Sequence, residues 1–208
     1  MDRQYDAMAI RELGAGAGLR RPRQSRAARV TRESPALEVM TDLTQVSAAT
    51  IRTQAPIEGA DEYMRSRGVR LLLVTDEGEA VLGVVTARDI LGEKPLRVAV
   101  ERGVRHDELT VADVMTPAAL CEAIDYEAVA GARVGHVMET LRRAGRQHAL
   151  VVDYDEQAPR SALERPARRT MVRGIFSLSQ VARQLGVPAP QPGEVARTFA
   201  EIEAALGH

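Results

Sequence analysis

Thr86 and Asp89 form the part of this sequence with the clearest capacity for chemistry. They stand three residues apart in the run Gly83-Val84-Val85-Thr86-Ala87-Arg88-Asp89-Ile90, where an apolar segment passes into a helical pattern. A hydroxyl and a carboxylate at this spacing form a capping box, in which each side chain accepts a hydrogen bond from the other residue's backbone amide. The same groups, at a strand end and a helix N-terminus, are also suited to bind a sugar diol and an anionic phosphate.

A related segment occurs later in the chain and helps to weigh these two interpretations. Ser177-Leu178-Ser179-Gln180 keeps a hydroxyl cap and an amide suited to a capping box, but it has no carboxylate. Hydrogen bonds to an ionised group are roughly twice as strong as those between neutral groups. If the chain has a nucleotide pocket, the Asp89 side is therefore favoured, and Ser177 with Gln180 would be at most a degenerate second site.

The two segments belong to a duplication that covers most of the chain. Val39-Met40-Thr41 returns as Val114-Met115-Thr116, and Gly83-Val84-Val85-Thr86 returns as Gly174-Ile175-Phe176-Ser177. The second copy carries an insertion between Asp153 and Gly174, and insertions of this kind usually lie in loops. The pattern indicates two structural repeats in one chain.

Each repeat predicts the same order of elements, β-α-β-β-α. In the second copy Val134, Val137, Met138 and Leu141 recur at helical spacing, and in the first copy the apolar run Leu71-Val74 precedes a turn and a second apolar run. A repeat of this size cannot bury both faces of its sheet alone. The predicted fold class is therefore α/β (α+β), with two pseudo-symmetric repeats packed together as one module.

The chain divides into four predicted regions. Residues 1–33 are expected to form a flexible tail rich in arginine, 34–98 the first repeat, and 99–188 the second repeat with an exposed inserted loop at 154–170. Residues 189–208 are expected to form a final helix. Its apolar stripe, which could pack on the module or on a second copy, consists of Val195, Phe199, Ile202 and Leu206.

Composition narrows the function classes. The chain has 208 residues, 45% of them hydrophobic, yet it contains no run of about 18 apolar residues and no apolar core typical of a secretory signal. A soluble cytoplasmic protein without membrane contact is expected. The single cysteine, Cys121, has no neighbour at a metal-ligand spacing, so an inert thiol and no metal site are predicted.

Catalysis and nucleic-acid binding are both disfavoured. The four histidines, His106, His136, His148 and His208, are scattered, and no nucleophile and base form a recognisable pair. A net charge of −1 and an aromatic content of 3% disfavour nucleic acid as a partner, in spite of the arginines near the N-terminus. We expect a protein that is not an enzyme.

Taken together, these residues resemble the paired cystathionine-β-synthase (CBS) domains, also called a Bateman module. The resemblance covers about Ser34 to Pro188 and is carried by the two Val-Met-Thr runs and by the run from Gly83 to Ile90, which is similar to the family's Gly-apolar-x-Thr/Ser-x-x-Asp signature. It implies a regulatory module that binds AMP, ADP, ATP or S-adenosylmethionine between the repeats. It also implies homodimers, and a separate regulated protein whose identity the sequence does not reveal.

The resemblance also assigns roles to individual residues. By it, Asp89 would bind the ribose hydroxyls, with Thr86 beside it at the ribose or phosphate, and Arg70 and Arg88 would meet the phosphates. The base would lie between Thr50-Ile51 and Val84-Val85. The alternative is a scaffold whose pocket is vestigial and whose role is protein association.

Overall fold

The computed structural model describes residues 30–157, 167–186, 200–202 and 204. In chain order the strands are β1 (Met40–Asp42), β2 (Thr50–Ile51), β3 (Leu71–Thr75), β4 (Val81–Thr86), β5 (Thr116–Pro117), β6 (Ala123–Asp125), β7 (His148–Gln157) and β8 (Ala167–Ser177). The α-helices are α1 (Ile57–Arg67), α2 (Ala87–Leu91), α3 (Lys94–Arg102), α4 (Val111–Val114), α5 (Tyr126–Ala130), α6 (Val134–Ala144) and α7 (Leu178–Leu185). Short 3-10 turns lie at Ala36–Val39, His106–Glu108 and Ala118–Leu120.

These strands form two four-stranded sheets. The first sheet has the order β2-β3-β4-β5 and the second the order β1-β8-β7-β6. In both sheets the strand that precedes the long helix pairs in parallel with the strand that follows it, β2 with β3 and β6 with β7. The strand after the helix then forms an antiparallel hairpin with the next strand, β3 with β4 and β7 with β8. This confirms the predicted β-α-β-β-α order and its duplication.

The duplicated Val-Met-Thr runs exchange places between the repeats. Strand β1, from the start of the first repeat, pairs with β8 so that Met40 lies opposite Phe176. Strand β5, from the second repeat, pairs with β4 so that Thr116 lies opposite Val84. Each sheet therefore contains a strand from the other repeat, and neither sheet is complete within one repeat.

The cores form layers of helices and sheets. Every residue of β3 is buried, and its side chains alternate between two environments. Leu72 and Val74 face the first repeat's helices, whereas Leu71 and Leu73 join Leu150 of the other sheet in a cluster between the sheets. A strand buried on both faces explains the uninterrupted apolar run in the sequence.

The predicted amphipathic helices are confirmed. Helix α1 buries Ile57, Ala60 and Met64 against the first sheet. Helix α6 buries its stripe of Val134, Val137, Met138 and Leu141 against the second sheet. Both helices end at a glycine in the left-handed conformation, Gly68 (φ 65°) and Gly145 (φ 61°), where a side chain would be strained.

The prediction of an inserted loop at 154–170 is wrong at both of its ends. Strands β7 and β8 continue as an antiparallel ribbon to the pair Gln157 and Ala167, and residues 158–166 lie outside the described part of the chain. Asp155 stands directly across from Arg169 in this ribbon. Cross-strand pairs of opposite charge favour strand pairing, and this pair was not recognised in the sequence.

The two chain ends are described only in part. Of the predicted tail, residues 1–29 lie outside the described ranges, but Val30 is buried in the second repeat's core. Of the final apolar stripe, Val195, Phe199 and Leu206 lie outside, and Ile202 is fully buried in that same core. Val30 is therefore not part of a flexible tail, and Ile202 packs on its own chain. Within the described ranges, no helix is both long enough and apolar enough to cross a membrane.

Candidate functional site

A cleft of about 210 Å³ lies between the two repeats. Its first wall comes from β3, β4 and α2, and its second wall comes from β5, the turn after it, and the entry to β7. The lining residues are Arg70, Leu71, Val84, Thr86, Arg88, Asp89, Thr116, Cys121, Glu122, Gly145, Arg146, Gln147, His148 and Leu150. A concave site where two repeats meet is a common position for ligand binding.

Five of the predicted site residues line this cleft: Arg70, Val84, Thr86, Arg88 and Asp89. They come together because the antiparallel pairing of β3 and β4 places Leu71, next to Arg70, opposite Thr86. The strand end and the helix N-terminus therefore meet at the same edge of the sheet.

The other three predicted residues, Thr50, Ile51 and Val85, do not line the cleft. Thr50 is exposed at the start of β2, and Ile51 packs against the first repeat's core. Val85 is fully buried in that core because successive strand residues point to opposite faces, so only its neighbour Val84 faces the other repeat. The expected enclosure of a base between Thr50-Ile51 and Val84-Val85 is therefore not present in this arrangement.

Asp89 forms the predicted capping box. Its Oδ2 accepts hydrogen bonds from the backbone amide of Thr86 at 2.9 Å and from the Thr86 hydroxyl at 2.6 Å, and the Asp89 amide donates to Thr86 Oγ1 at 3.3 Å. Its Oδ1 faces Lys94 Nζ at 3.5 Å. The Asp89 side chain is 19% exposed, and an ionised carboxylate has about four acceptor positions. Asp89 thus keeps acceptor capacity after the cap is satisfied.

A second Thr-x-x-Asp box in this chain has the same local geometry away from the cleft lining. Asp113 Oδ2 accepts from the backbone amide of Thr110 at 2.9 Å and from its hydroxyl at 3.0 Å, at the start of α4. Asp113 also pairs with Arg102. The capping geometry therefore needs no ligand, and Asp113 provides an internal comparison for Asp89.

Positive charge predominates among the cleft-lining side chains. Arg70, Arg88 and Arg146 are cations, whereas Asp89 and Glu122 are the anions. Arg146 and Glu122, both in the second wall, form an ion pair at 3.1 Å. The remaining excess of positive charge suits a ligand that carries negative charge.

His148, in the second wall, has a pKa far below its ordinary value. It lines the cleft and retains some accessible surface, but protein atoms surround most of its ring. This burial, together with the positive charge of Arg70, lowers the pKa of His148 to about 4. The imidazole is therefore neutral at pH 7.

Cys121 also lies in the cleft, between the two repeats. Its thiol is close to the carbonyl oxygens of Pro117 (3.4 Å) and Thr116 (3.6 Å). Desolvation by burial, with a smaller contribution from Asp89, raises the pKa of the Cys121 thiol. Because the thiolate is the reactive form, this environment is typical of an unreactive cysteine.

The predicted degenerate site differs from its prediction. Ser177 is the N-cap residue of α7 by position, but its side chain makes no capping hydrogen bond. Gln180 Oε1 instead accepts a hydrogen bond from Arg183 at 3.1 Å. The capping box expected here is absent because the amide side chain is used one turn along its own helix.

The second wall was not predicted from the sequence; it is supplied by Gly145, Arg146, Gln147 and His148 together with Glu122. A signal was available, because Gly145 to His148 occupies the position of Gly68 to Leu71 in the other copy. If Arg70 faces the cleft, a two-fold relation brings the equivalent segment close to it. Among the described residues, no group of three or more metal-ligating side chains is assembled.

The fold and the cleft define a module of two packed repeats. The family model for the CBS domain matches residues 36–95, in the first of these repeats. No curated protein matches the chain.

Several solved structures are similar to the chain at low sequence identity. An uncharacterized conserved protein from Pyrococcus horikoshii is 18% identical, with 77% of this chain and 98% of that one covered and a TM-score of 0.49. A CBS-domain containing protein from Agrobacterium tumefaciens is 17% identical, with 74% and 94% covered and a TM-score of 0.48. The CBS-pair protein CBSX2 from Arabidopsis thaliana is 18% identical, with 74% and 94% covered and a TM-score of 0.45. CBSX2 has also been solved in complex with AMP.

Proposed function

We propose that this protein is a regulatory module that binds an adenosine-containing nucleotide in the cleft between its repeats and signals to a separate protein. The observation that carries the proposal is the cleft itself, since one repeat supplies Thr86, Asp89 and Arg88 and the other supplies Arg146 and His148. A ligand that contacts both repeats favours the arrangement in which both contacts form. A difference in affinity between two arrangements is what regulation requires.

The chemistry of the first wall supports a ribose and a phosphate as the recognised groups. Asp89 Oδ1 accepts only a long hydrogen bond, from Lys94 Nζ at 3.5 Å, within the described part of the chain, which leaves it able to accept from a vicinal diol. Arg88 and Arg70 provide positive charge at the same strand edge. The proposal places the ribose at Asp89 and the phosphate toward the arginines.

The competing function is a scaffold with a vestigial pocket. The observation that favours it is the complete capping box, because Asp89 has a structural role without any ligand. The two functions differ in what the Asp89 charge does. In a scaffold it contributes stability alone, whereas in a sensor it also contributes affinity.

The experiment that tests the proposal compares Asp89→Asn with Asp113→Asn. Thermal shifts of the purified proteins with AMP, ADP, ATP, S-adenosylmethionine and NAD identify a ligand, because a ligand that prefers the folded state raises the Tm. We expect the wild-type protein and Asp113→Asn to bind alike, and Asp89→Asn to bind more weakly by about 1–3 kcal/mol.

Both substitutions keep an oxygen for the cap and remove one ion pair, so their effects on stability should be similar. Equal binding by the two variants would contradict the role of Asp89 in the site. The absence of any shift in the wild-type protein would favour the scaffold, and association with other proteins would then be the property to measure.

A further inference from the structure

His148 is a polar side chain directed into the cleft without a use in the protein's own structure. Among the residues that the structure describes, none forms a hydrogen bond with its imidazole ring. The side chain is half-buried and its ring nitrogens are not among the buried atoms that lack a partner, so water or a ligand group in the cleft can reach them.

The charged surroundings of His148 come from every element at the cleft. Arg146 precedes it at the entry to β7, Arg70 lies at the entry to β3, and Arg88 and Asp89 lie on α2. The turn after β5 adds Cys121 and Glu122, and Glu122 is paired with Arg146. In this cationic environment a protonated imidazole is disfavoured.

We propose that His148, together with Arg70 and Arg146, receives the anionic group of a phosphorylated nucleoside, and that His148 takes up a proton when this ligand binds. The inference rests on the proposed function and narrows its ligand class. Uncharged adenosine lacks the required charge, and S-adenosylmethionine carries a cationic sulfonium. His148 therefore does not increase the affinity for adenosine or for S-adenosylmethionine.

The direction of the effect follows from electrostatics. Without ligand, burial and Arg70 hold the pKa of His148 at about 4. A phosphate within about 4–6 Å stabilises the protonated form and raises the pKa by roughly 1–3 units. By linkage, protonation then strengthens binding as the pH falls toward the pKa of the complex.

The test uses AMP and adenosine as probes, with calorimetric titrations at pH 7.5 and 5.5 in buffers of different ionisation enthalpy. For a rise of about 2 units in the pKa, the affinity for AMP at pH 5.5 should increase about fourfold relative to His148→Gln, with uptake of about 0.7 proton. The phosphate of AMP titrates in the same range, but its contribution is the same in both proteins. His106→Gln, at an exposed histidine outside the cleft lining, should behave like the wild-type protein.

NMR titration of His148 in the wild-type protein, with and without AMP, gives the same answer without any substitution. A pKa that rises on AMP addition supports the inference. If AMP binds but the pKa and the pH dependence match those of His148→Gln, or if adenosine binds as tightly as AMP, the inference is wrong and the proposed function survives. If neither AMP nor adenosine binds the wild-type protein, the inference is overturned, and the proposed function is overturned with it only when ADP, ATP, S-adenosylmethionine and NAD also fail to bind.

Discussion

At the scale of single residues, the cleft contains side chains that hydrogen-bond to one another and one, His148, that does not. Asp89 is hydrogen-bonded to Thr86 and Lys94 and keeps acceptor capacity beyond these contacts. His148 has no comparable partners among the described residues, and burial together with Arg70 keeps its imidazole neutral. A group of this kind makes the stability of the fold depend on pH even in the absence of ligand.

We expect acidification to destabilise the wild-type protein more than His148→Gln. The pKa of His148 is lowered from 6.5 to about 4 in the folded protein, so the unfolded chain binds an additional proton between these values. Stability is therefore unaffected above pH 6.5 and falls as the pH drops toward 4, by up to about 3 kcal/mol from this residue. Urea unfolding at pH 7.5, 6 and 5 measures the difference, and equal losses in both proteins would contradict it.

At the scale of elements, the exchanged strands hold the two repeats together. Strand β5 lies so close to β4 that a Cβ atom at Gly83 would overlap the carbonyl oxygen of Thr116. The glycine is therefore required by the close approach of another strand. Its counterpart Gly174 is approached chiefly by the flexible side chain of Met40 in β1, with the Thr41 carbonyl oxygen farther away.

Gly83→Ala should consequently weaken the junction between the repeats. The overlap with backbone atoms of β5 cannot be relieved by a rotamer change, so we expect a loss of about 1–3 kcal/mol in the free energy of unfolding. Gly59→Ala is the matched control, because no atom lies within 4 Å of a Cβ there. In the interior of α1 that change should stabilise by about 0.5–1 kcal/mol. Denaturant unfolding of both variants decides whether the close approach matters.

The ribbon formed by the ends of β7 and β8 is the element that distinguishes the second repeat from the first. The Tyr154 hydroxyl donates to Asp125 Oδ1 at 2.7 Å, and this hydrogen bond is the main cause of the raised pKa of Tyr154. Arg168 lies over the tyrosine ring at 5.7 Å. The hydrogen bond from Tyr154 to Asp125 connects the ribbon to the end of β6.

At the scale of the whole molecule, the described surface has an apolar pair on α3. Leu96 is 67% exposed and Val100 is 74% exposed, and their spacing puts them on one face of the helix. Arg97 and Glu101 stand beside them. A second copy placed on this helix by a two-fold axis would cover the apolar pair with its own Leu96 and Val100.

We therefore expect the protein to form homodimers through α3, a surface different from the final helix, whose Ile202 is buried in its own chain. Leu96→Glu should produce monomers in sedimentation velocity experiments, because it places a charge in the apolar contact. Leu120→Glu, at a residue with 68% exposure away from α3, should leave the dimer intact. A monomeric wild-type protein, or equal effects of the two substitutions, would exclude this interface.

Much of this fold could be predicted from the sequence because its signals are local. The period of apolar residues determines α1 and α6, and the spacing of Thr86 and Asp89 determines a helix cap, as it also does at Thr110 and Asp113. The duplication itself predicts that the two halves share one arrangement of elements.

Contacts between the repeats were decided only by the tertiary structure. Packing between residues far apart in sequence decides which sheet receives β1 or β5 and whether Val84 or Val85 faces the cleft. It also decides how close Arg146 and His148 lie to Asp89. For this reason the sequence did not reveal that Thr50, Ile51 and Val85 lie outside the cleft lining. The sequence by itself determined the parts that local hydrogen bonds and hydrophobic periodicity specify, and the cleft exists because two such parts pack against each other.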